Sequence, residues 1–111
     1  INKLDSGKYI TDFATEGQSN YAFIVVLKKA SLDARNLVEK LLNEQGIEFR
    51  RGLSGGGSQL KQPYLCQLAV DQTQFPNVEH VHHFSWYVGN YPSLEREKID
   101  KLLEILNGLD I

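Results

Sequence analysis

The sequence predicts an α+β fold, with helices packed on a small three- to four-stranded sheet. Three observations predict it. A run of apolar residues, three of them β-branched, extends over 21–27, two stretches carry apolar residues at helical spacing, and an alternating aromatic strand pattern lies between those stretches. The chain has 111 residues, which suffices for one apolar core and is short for two domains.

The predicted first strand spans residues 21–27 and follows a polar entering segment over residues 1–20. Both faces of this strand are apolar, because Tyr21, Phe23, Val25 and Leu27 alternate with Ala22, Ile24 and Val26. Such a pattern is typical of a central strand that is covered on both sides. We expect this entering segment to hold at most one short strand and three anchors, which are Tyr9, Ile10 and Phe13.

A helix and a second strand follow. Ser31 is placed to cap the helix and Gly46 to end it in a left-handed conformation. The apolar stripe between them consists of Ala34, Leu37, Val38, Leu41 and Leu42. The next strand is expected over 47–51. The composition of the glycine-rich segment 52–62 predicts a loop whose backbone can approach another surface closely.

The C-terminal half predicts two short helices, a strand and a long helix. Pro63 fits the first turn of a short helix that reaches Leu68, and Asn77 is placed to cap a second one. The second short helix carries Val78, Val81 and His82. A strand is expected over 84–88. Ser93 is expected to cap the last helix and Gly108 to end it, with a stripe formed by Leu94, Ile99, Leu102, Leu103 and Leu106.

Composition excludes several classes of function. The 12 basic residues against 14 acidic ones give a formal charge of -2, so no net positive field favours nucleic acid or an anionic membrane. No apolar run is long enough to cross a bilayer. The single cysteine excludes an internal disulfide and fits a soluble protein of the reducing cytoplasm. The chain has no Met and begins with Ile1, so we expect it to be a piece of something longer.

Four local features have alternative interpretations. The glycine run at 52–58 lacks the spacing of a phosphate loop or a dinucleotide fingerprint. We therefore favour either a flexible loop or a loop that covers a ligand held by another domain or chain. His80, His82 and His83 are expected to be packed or surface residues rather than metal ligands. Cys66 is expected to be a small buried hydrophobe. Arg50 and Arg51 either hold an anion or lie on the surface, and alternation places them on opposite faces.

The order of several motifs resembles one family. Residues 46–52 read Gly-Ile-Glu-Phe-Arg-Arg-Gly, and the loop after them ends in Gln-Pro-Tyr at 62–64. Residues 75–80 read Phe-Pro-Asn-Val-Glu-His, and Tyr-Val-Gly-Asn-Tyr-Pro at 87–92 precedes the last helix. Together they resemble the C-terminal small domain of the DegT-type sugar-nucleotide aminotransferases and dehydratases, fold-type I enzymes that use pyridoxal phosphate (PLP) or pyridoxamine phosphate (PMP). The resemblance covers 21–109 and looks closest to the keto-deoxysugar 3-dehydratases.

The resemblance implies a division of the chain and a function for its parent enzyme. Residues 1–20 would be an entering segment and 21–111 the small domain. The enzyme would dehydrate or transaminate a nucleotide-linked 4-keto-6-deoxy sugar for lipopolysaccharide (O-antigen type) biosynthesis, as a cytoplasmic homodimer. The family's catalytic lysine or histidine and most cofactor contacts lie in the large domain, outside this chain. We therefore expect no catalytic residue here, and neither cofactor nor metal bound by this fragment alone.

The resemblance also implies a wall of the active-site cleft that contacts the nucleotide sugar. We expect it to be formed by Arg50, Arg51, Gly55, Gly56, Gly57, Ser58, Gln59, Gln62, Tyr64, Tyr87 and Asn90. Arg51 is the first choice for the anion contact and Arg50 the second. The alternative is an independent α+β module that binds a small molecule or peptide at the glycine loop, and the residues encoded before Ile1 would decide between the two.

Overall fold

The computed structural model describes residues 1–54 and 56–111. In this part of the chain the regular elements are, in order, β1 (Ala22–Val26), α1 (Leu32–Glu44), α2 (Pro76–Phe84), β2 (Ser85–Gly89) and α3 (Arg96–Gly108). Short 3-10 turns lie between α1 and α2, at Gly52–Ser54, Gln59–Lys61 and Gln72–Gln74. Helices packed with a small sheet confirm the predicted α+β class.

The sheet consists of β1 and β2, which pair antiparallel with Ala22 opposite Gly89 and Val26 opposite Ser85. Among the described residues, two isolated bridges flank the sheet: Tyr9 pairs with Leu27, directly after β1, and Arg50 pairs with Tyr87 of β2. The described residues thus hold two regular strands, where the sequence predicted three or four.

The predicted strand over 47–51 is reduced to the bridge at Arg50 for a local reason. Gly46 and Gly52 both have positive φ, 67° and 63°, so the backbone turns away from the sheet before and after this stretch. The intervening residues are too few to build a ladder. The prediction that β1 is covered on both sides is also wrong in part, because Ile24 is 39% exposed and lines an open cleft.

The core lies between the sheet, α1 and α3. Its most completely buried side chains are Tyr9, Leu27, Val38, Trp86 and Leu106. The stripes predicted for α1 and α3 supply Val38, Leu42, Leu102, Leu103 and Leu106, so both helix faces are confirmed. Of the α1 stripe, Leu37 is exposed.

The entering segment is anchored by Leu4 and Tyr9, both buried, whereas Phe13 is exposed. The Tyr9 hydroxyl donates to the Leu106 carbonyl at 2.8 Å, and burial raises the pKa of this phenol above its usual value. Lys8 Nζ donates to the carbonyls of Asn107 and Leu109 at 2.6 and 2.7 Å. The segment therefore closes the core and satisfies the C-terminal end of α3.

The predicted caps of α1 are confirmed: Ser31 accepts from the Ala34 N–H at 3.2 Å, and Gly46 takes the left-handed conformation after the helix. The caps of the other helices differ from prediction. Proline at the first position starts α2 at Pro76, one residue before Asn77. The last helix begins after Glu95, with no side-chain cap from Ser93.

The short helix expected over 63–68 is only a turn, closed by bonds from the N–H groups of Leu65 and Cys66 to the Gln62 carbonyl. Tyr64 and Leu68 are 67% and 56% exposed, so no apolar burial extends this turn. Among the described residues, no helix combines the length and the apolar character that crossing a membrane requires.

Candidate functional site

The glycine loop, defined here as residues 52–58, leaves the sheet at Arg51 and returns toward α2. Gly52 and Gly56 adopt positive φ, and the Gly57 N–H donates to the Gly52 carbonyl at 2.8 Å. This bond closes the base of the loop. The candidate residue Gly55 lies outside the described residues.

The C-terminal end of the loop rests on α2. The Ser58 N–H donates to Nδ1 of His82 at 3.0 Å, and both residues are buried. Burial lowers the pKa of the His82 imidazole, and the neighbouring His83 and Lys61 lower it further. A neutral ring with its proton on Nε2 is the form that can accept this bond.

The N-terminal end of the loop is tied to α1 through Arg51. Its Nε donates to Oε1 of Glu39, and the same carboxylate oxygen accepts from the Trp86 indole N–H at 2.9 Å. Glu39 thus satisfies a buried tryptophan and an arginine together. Arg51, the first choice for an anion contact, is engaged inside the molecule in this structure.

Arg50 faces the opposite side, as strand alternation predicted. It lines an open cleft of about 1130 Å³ whose wall includes Phe49, Tyr87, Lys98 and Lys101. The Arg50 side chain is 56% exposed and its nearest carboxylate, Glu48, lies 3.8 Å away. At that distance and exposure the pair is weak, so the guanidinium can still bind an anion.

Tyr87 and Asn90 also line this cleft. The Tyr87 hydroxyl donates to the Ser54 carbonyl at 3.1 Å, so this side chain joins the cleft to the glycine loop. The Asn90 amide donates to the Asn20 carbonyl at 2.7 Å and ties the end of β2 to the chain before β1.

The remaining side chains, Gln59, Gln62 and Tyr64, follow the glycine loop along the chain. Nε2 of Gln62 is 3.4 Å from the Leu53 carbonyl, and Nε2 of Gln59 is 3.5 Å from the Tyr64 hydroxyl. These are long, exposed contacts that hold the side chains weakly. The structure therefore divides the candidates into a cleft group (Arg50, Tyr87, Asn90) and a loop group (Gly56, Gly57, Ser58, Gln59, Gln62, Tyr64), with Arg51 separate from both.

Sequence reasoning missed Glu39 and the loop-binding role of His82. The sequence does contain a signal for Glu39. This residue adjoins Val38, the most buried residue of the α1 stripe, and a buried tryptophan needs a hydrogen-bond acceptor of this kind. Nothing in the spacing of His82 pairs it with Ser58, which is 24 residues away. His82 is packed, as expected for the histidines, but Cys66 is exposed rather than buried.

Several donors that could contact a phosphate are engaged within the chain. The N–H groups of Gly57 and Ser58, which could hold a phosphate, bond to Gly52 and His82. Lys61 Nζ lies 3.0 Å from the Glu79 carboxylate. In residues 1–54 and 56–111, no three His, Cys, Asp or Glu side chains are grouped so that they could hold a metal ion.

Neither a family model nor a curated protein matches the chain, but solved structures do. A Streptococcus pneumoniae protein described as a sugar aminotransferase (Spr1654), in its PMP form, matches 96% of this chain with a TM-score of 0.70 and 21% identity. Its PLP form matches 96% with a TM-score of 0.69 and 20% identity. A GDP-4-keto-6-deoxymannose-3-dehydratase with a trapped PLP-glutamate geminal diamine matches 78% with a TM-score of 0.62 and 26% identity.

This chain spans 28% of each Spr1654 chain and 22% of the dehydratase chain. The resemblance to the DegT-type enzymes is confirmed at the level of the fold, which is that of the C-terminal small domain of a PLP enzyme.

Proposed function

We propose that this chain is the C-terminal small domain of a PLP- or PMP-dependent enzyme that dehydrates or transaminates a nucleotide-linked 4-keto-6-deoxy sugar. In this proposal residues 1–20 enter the domain and 21–111 form it, within a cytoplasmic homodimer that serves O-antigen-type polysaccharide synthesis. The observation that carries the proposal is the fold match, over 96% of the chain, to a protein described as a sugar aminotransferase. The match to a keto-deoxysugar dehydratase supports the same class of substrate.

The charge of the cleft supports an anionic substrate such as a nucleotide sugar. Of the described residues that line it, Arg50, Lys98 and Lys101 are basic and Glu48 alone is acidic. A guanidinium can hold two phosphate oxygens at once, and it is the side chain best suited to a diphosphate. We therefore assign the main anion contact of this domain to Arg50, with the two lysines adding attraction over a longer range.

The aromatic and amide groups of the cleft would orient the substrate. Tyr21 and Tyr87 contact each other edge to face, with ring centroids 6.0 Å apart, and Tyr87 also bonds to the loop. A ring held on two sides is a fixed surface for a sugar or base to pack on. The glycine loop, with little side chain of its own, would let backbone groups approach the substrate closely.

The chemistry itself would be supplied outside this chain. PLP or PMP, when bound, acts as an electron sink for bonds next to its imine carbon. The N–H groups of Gly57 and Ser58 and the amine of Lys61 are engaged with this chain's own atoms. We therefore assign cofactor binding and proton transfer to the large domain of the complete enzyme. The residues of this chain would bind and orient the sugar nucleotide and exclude water.

The test is an assay of the polypeptide encoded by the complete reading frame. We expect the residues before Ile1 to encode a cofactor-binding domain. The purified product should then convert a nucleotide-linked 4-keto-6-deoxy sugar to a 3-deoxy or an amino sugar when PLP or PMP is present. A start codon directly before Ile1, or a cofactor-loaded protein that turns over no such sugar, would contradict the proposal.

A second test uses the 111-residue chain alone. Mixed with PLP, it should give no saturable absorbance change of the kind that an internal aldimine produces. Lys8 and Lys61 both donate to groups of the chain itself. A stoichiometric, borohydride-stable adduct on one lysine would show that the active-site base lies in this domain after all.

A further inference from the structure

The glycine loop is bonded to a helix at each end, to α1 through Arg51 and to α2 through Ser58, and the two contacts differ. At the N-terminal end, Arg51 and Glu39 form a part-buried ion pair. At the C-terminal end, the only side chain that bonds to the backbone of Ser58 among the described residues is His82. We propose that His82 is a positioning residue, which sets the conformation of the glycine loop by accepting the Ser58 N–H at Nδ1.

The packing at this end leaves no room for a side chain at residue 57. A Cβ atom built on Gly57 would lie 2.4 Å from Nδ1 of His82 and 2.8 Å from the Gly52 carbonyl oxygen. The ring, the Gly57 backbone and the start of the loop are therefore in direct contact. Because Gly57 also donates to Gly52, a displacement of the imidazole would move both ends of the loop together.

The bond depends on the protonation of the ring. Nδ1 accepts only while it carries no proton, and protonation turns it into a second donor facing the Ser58 N–H. The charged groups that face the ring are Lys61 and Arg51 from the segments packed on α2, and His83 and Glu79 from α2 itself. Burial and the three basic groups favour the neutral ring, whereas the Glu79 carboxylate favours the protonated one. Because the lowering effects dominate, the ring holds the loop at neutral pH and releases it in acid.

The consequence for activity rests on the proposed function. In that enzyme, His82 touches no substrate and acts through the loop, whose backbone is presented to the sugar nucleotide. The experiment below needs neither cofactor nor substrate, so its failure would leave the proposed function untouched. A failure of the sugar assay would likewise leave the role of His82 in the loop untouched.

The test is an NMR titration of the 15N-labelled 111-residue chain and three variants. We would follow the His82 ring, the Ser58 amide and, as a reporter of the sheet, the Val25 amide. His82→Phe removes the acceptor, whereas His82→Asn can place an amide oxygen near the position of Nδ1. His83→Asn is the matched control, because it is the adjacent histidine on the same helix and its side chain is 41% exposed.

In the unmodified chain, we expect the Ser58 amide shift to follow the protonation of His82 with the same midpoint, while Val25 does not respond. His82→Phe should speed hydrogen exchange at Ser58 by about tenfold. His82→Asn and His83→Asn should keep it near the original rate.

A Ser58 amide that does not respond through the His82 midpoint would overturn the proposal. So would an unchanged exchange rate at Ser58 in a folded His82→Phe variant. If that variant fails to fold, the titration of the unmodified chain still decides.

Discussion

Two regions of this molecule are held together by different forces. All the buried apolar side chains among the described residues lie in the core region, residues 1–42 and 86–111. The loop region, residues 43–85, buries Ser58, His82 and Ser85 instead and exposes large apolar side chains such as Tyr64 and Leu68. The stabilisation from apolar burial grows with the buried area and depends little on any one atom. A hydrogen bond or a tightly packed glycine, in contrast, is disrupted when a single atom is added or removed. Substitutions in the two regions should therefore act through different mechanisms.

The largest effect is expected for a truncation in the core region. Leu106→Ala should lower the free energy of unfolding by about 2–5 kcal/mol, because a side chain only 1% exposed leaves a cavity. Leu53→Ala in the loop region is the control, since Leu53 is 45% exposed, and its effect should stay within about 0.5 kcal/mol. Denaturant unfolding of both variants measures the difference. Equal losses would mean that the two regions do not differ as described.

A single added methyl group should disturb the loop region. Gly57→Ala should cost about 1–3 kcal/mol of unfolding free energy, because its Cβ would overlap the His82 ring and the Gly52 carbonyl. Gly108→Ala is the matched control. No atom lies within 4 Å of its added Cβ, and alanine favours a helix, so the control should gain up to about 1 kcal/mol. A Gly57→Ala chain as stable as the original would show that the loop does not pack on His82.

The connection between the regions should be sensitive to Glu39. Glu39→Ala leaves the Trp86 indole N–H and Arg51 without their shared acceptor, and we expect a loss of about 1–2 kcal/mol. Glu44→Ala on the same helix removes only an exposed pair with Lys40 at 3.8 Å, and should change stability by less than about 0.5 kcal/mol. Thermal unfolding of the two variants side by side tests this. A Glu39→Ala chain that unfolds like Glu44→Ala would show that Glu39 does not connect the two regions.

The smallest expected effect is a dependence on pH. The folded pKa of His82 is lowered, so the unfolded chain binds its proton more readily than the folded chain does. Its contribution to stability is complete above the ordinary pKa of about 6.5 and is lost as pH falls toward and through the folded pKa. Unfolding measured between about pH 7.5 and 5 should show this decline, and His82→Asn should flatten it. A decline of the same size in His82→Asn would assign the effect to other groups.

The sequence predicted the core region well because periodic apolar residues determine it. The α1 stripe apart from the exposed Leu37, the Ser31 cap and the aromatic strand around Trp86 lie where the pattern placed them. Helix starts were less certain, since Pro76 and Asn77 are competing signals and only the packing decides between them.

The loop region could not be predicted to the same depth. Its shape rests on contacts between residues that are distant in sequence, such as Ser58 with His82 and Arg51 with Glu39. Strand alternation did predict that Arg50 and Arg51 face opposite sides. Which groups each arginine contacts could be known only from the fold. For this reason the first-choice arginine lies on Glu39, and the second lines the cleft.

The most direct test of the central proposal compares these two arginines in the complete enzyme. We expect Arg50→Ala to lower kcat/KM for the nucleotide sugar about ten- to a hundredfold, as the loss of one charge-assisted contact does. The matched Arg51→Ala should act mainly on stability, with kcat/KM of the folded fraction nearly unchanged. If Arg50→Ala retains full kcat/KM, the cleft lined by Arg50 is not the wall that contacts the substrate.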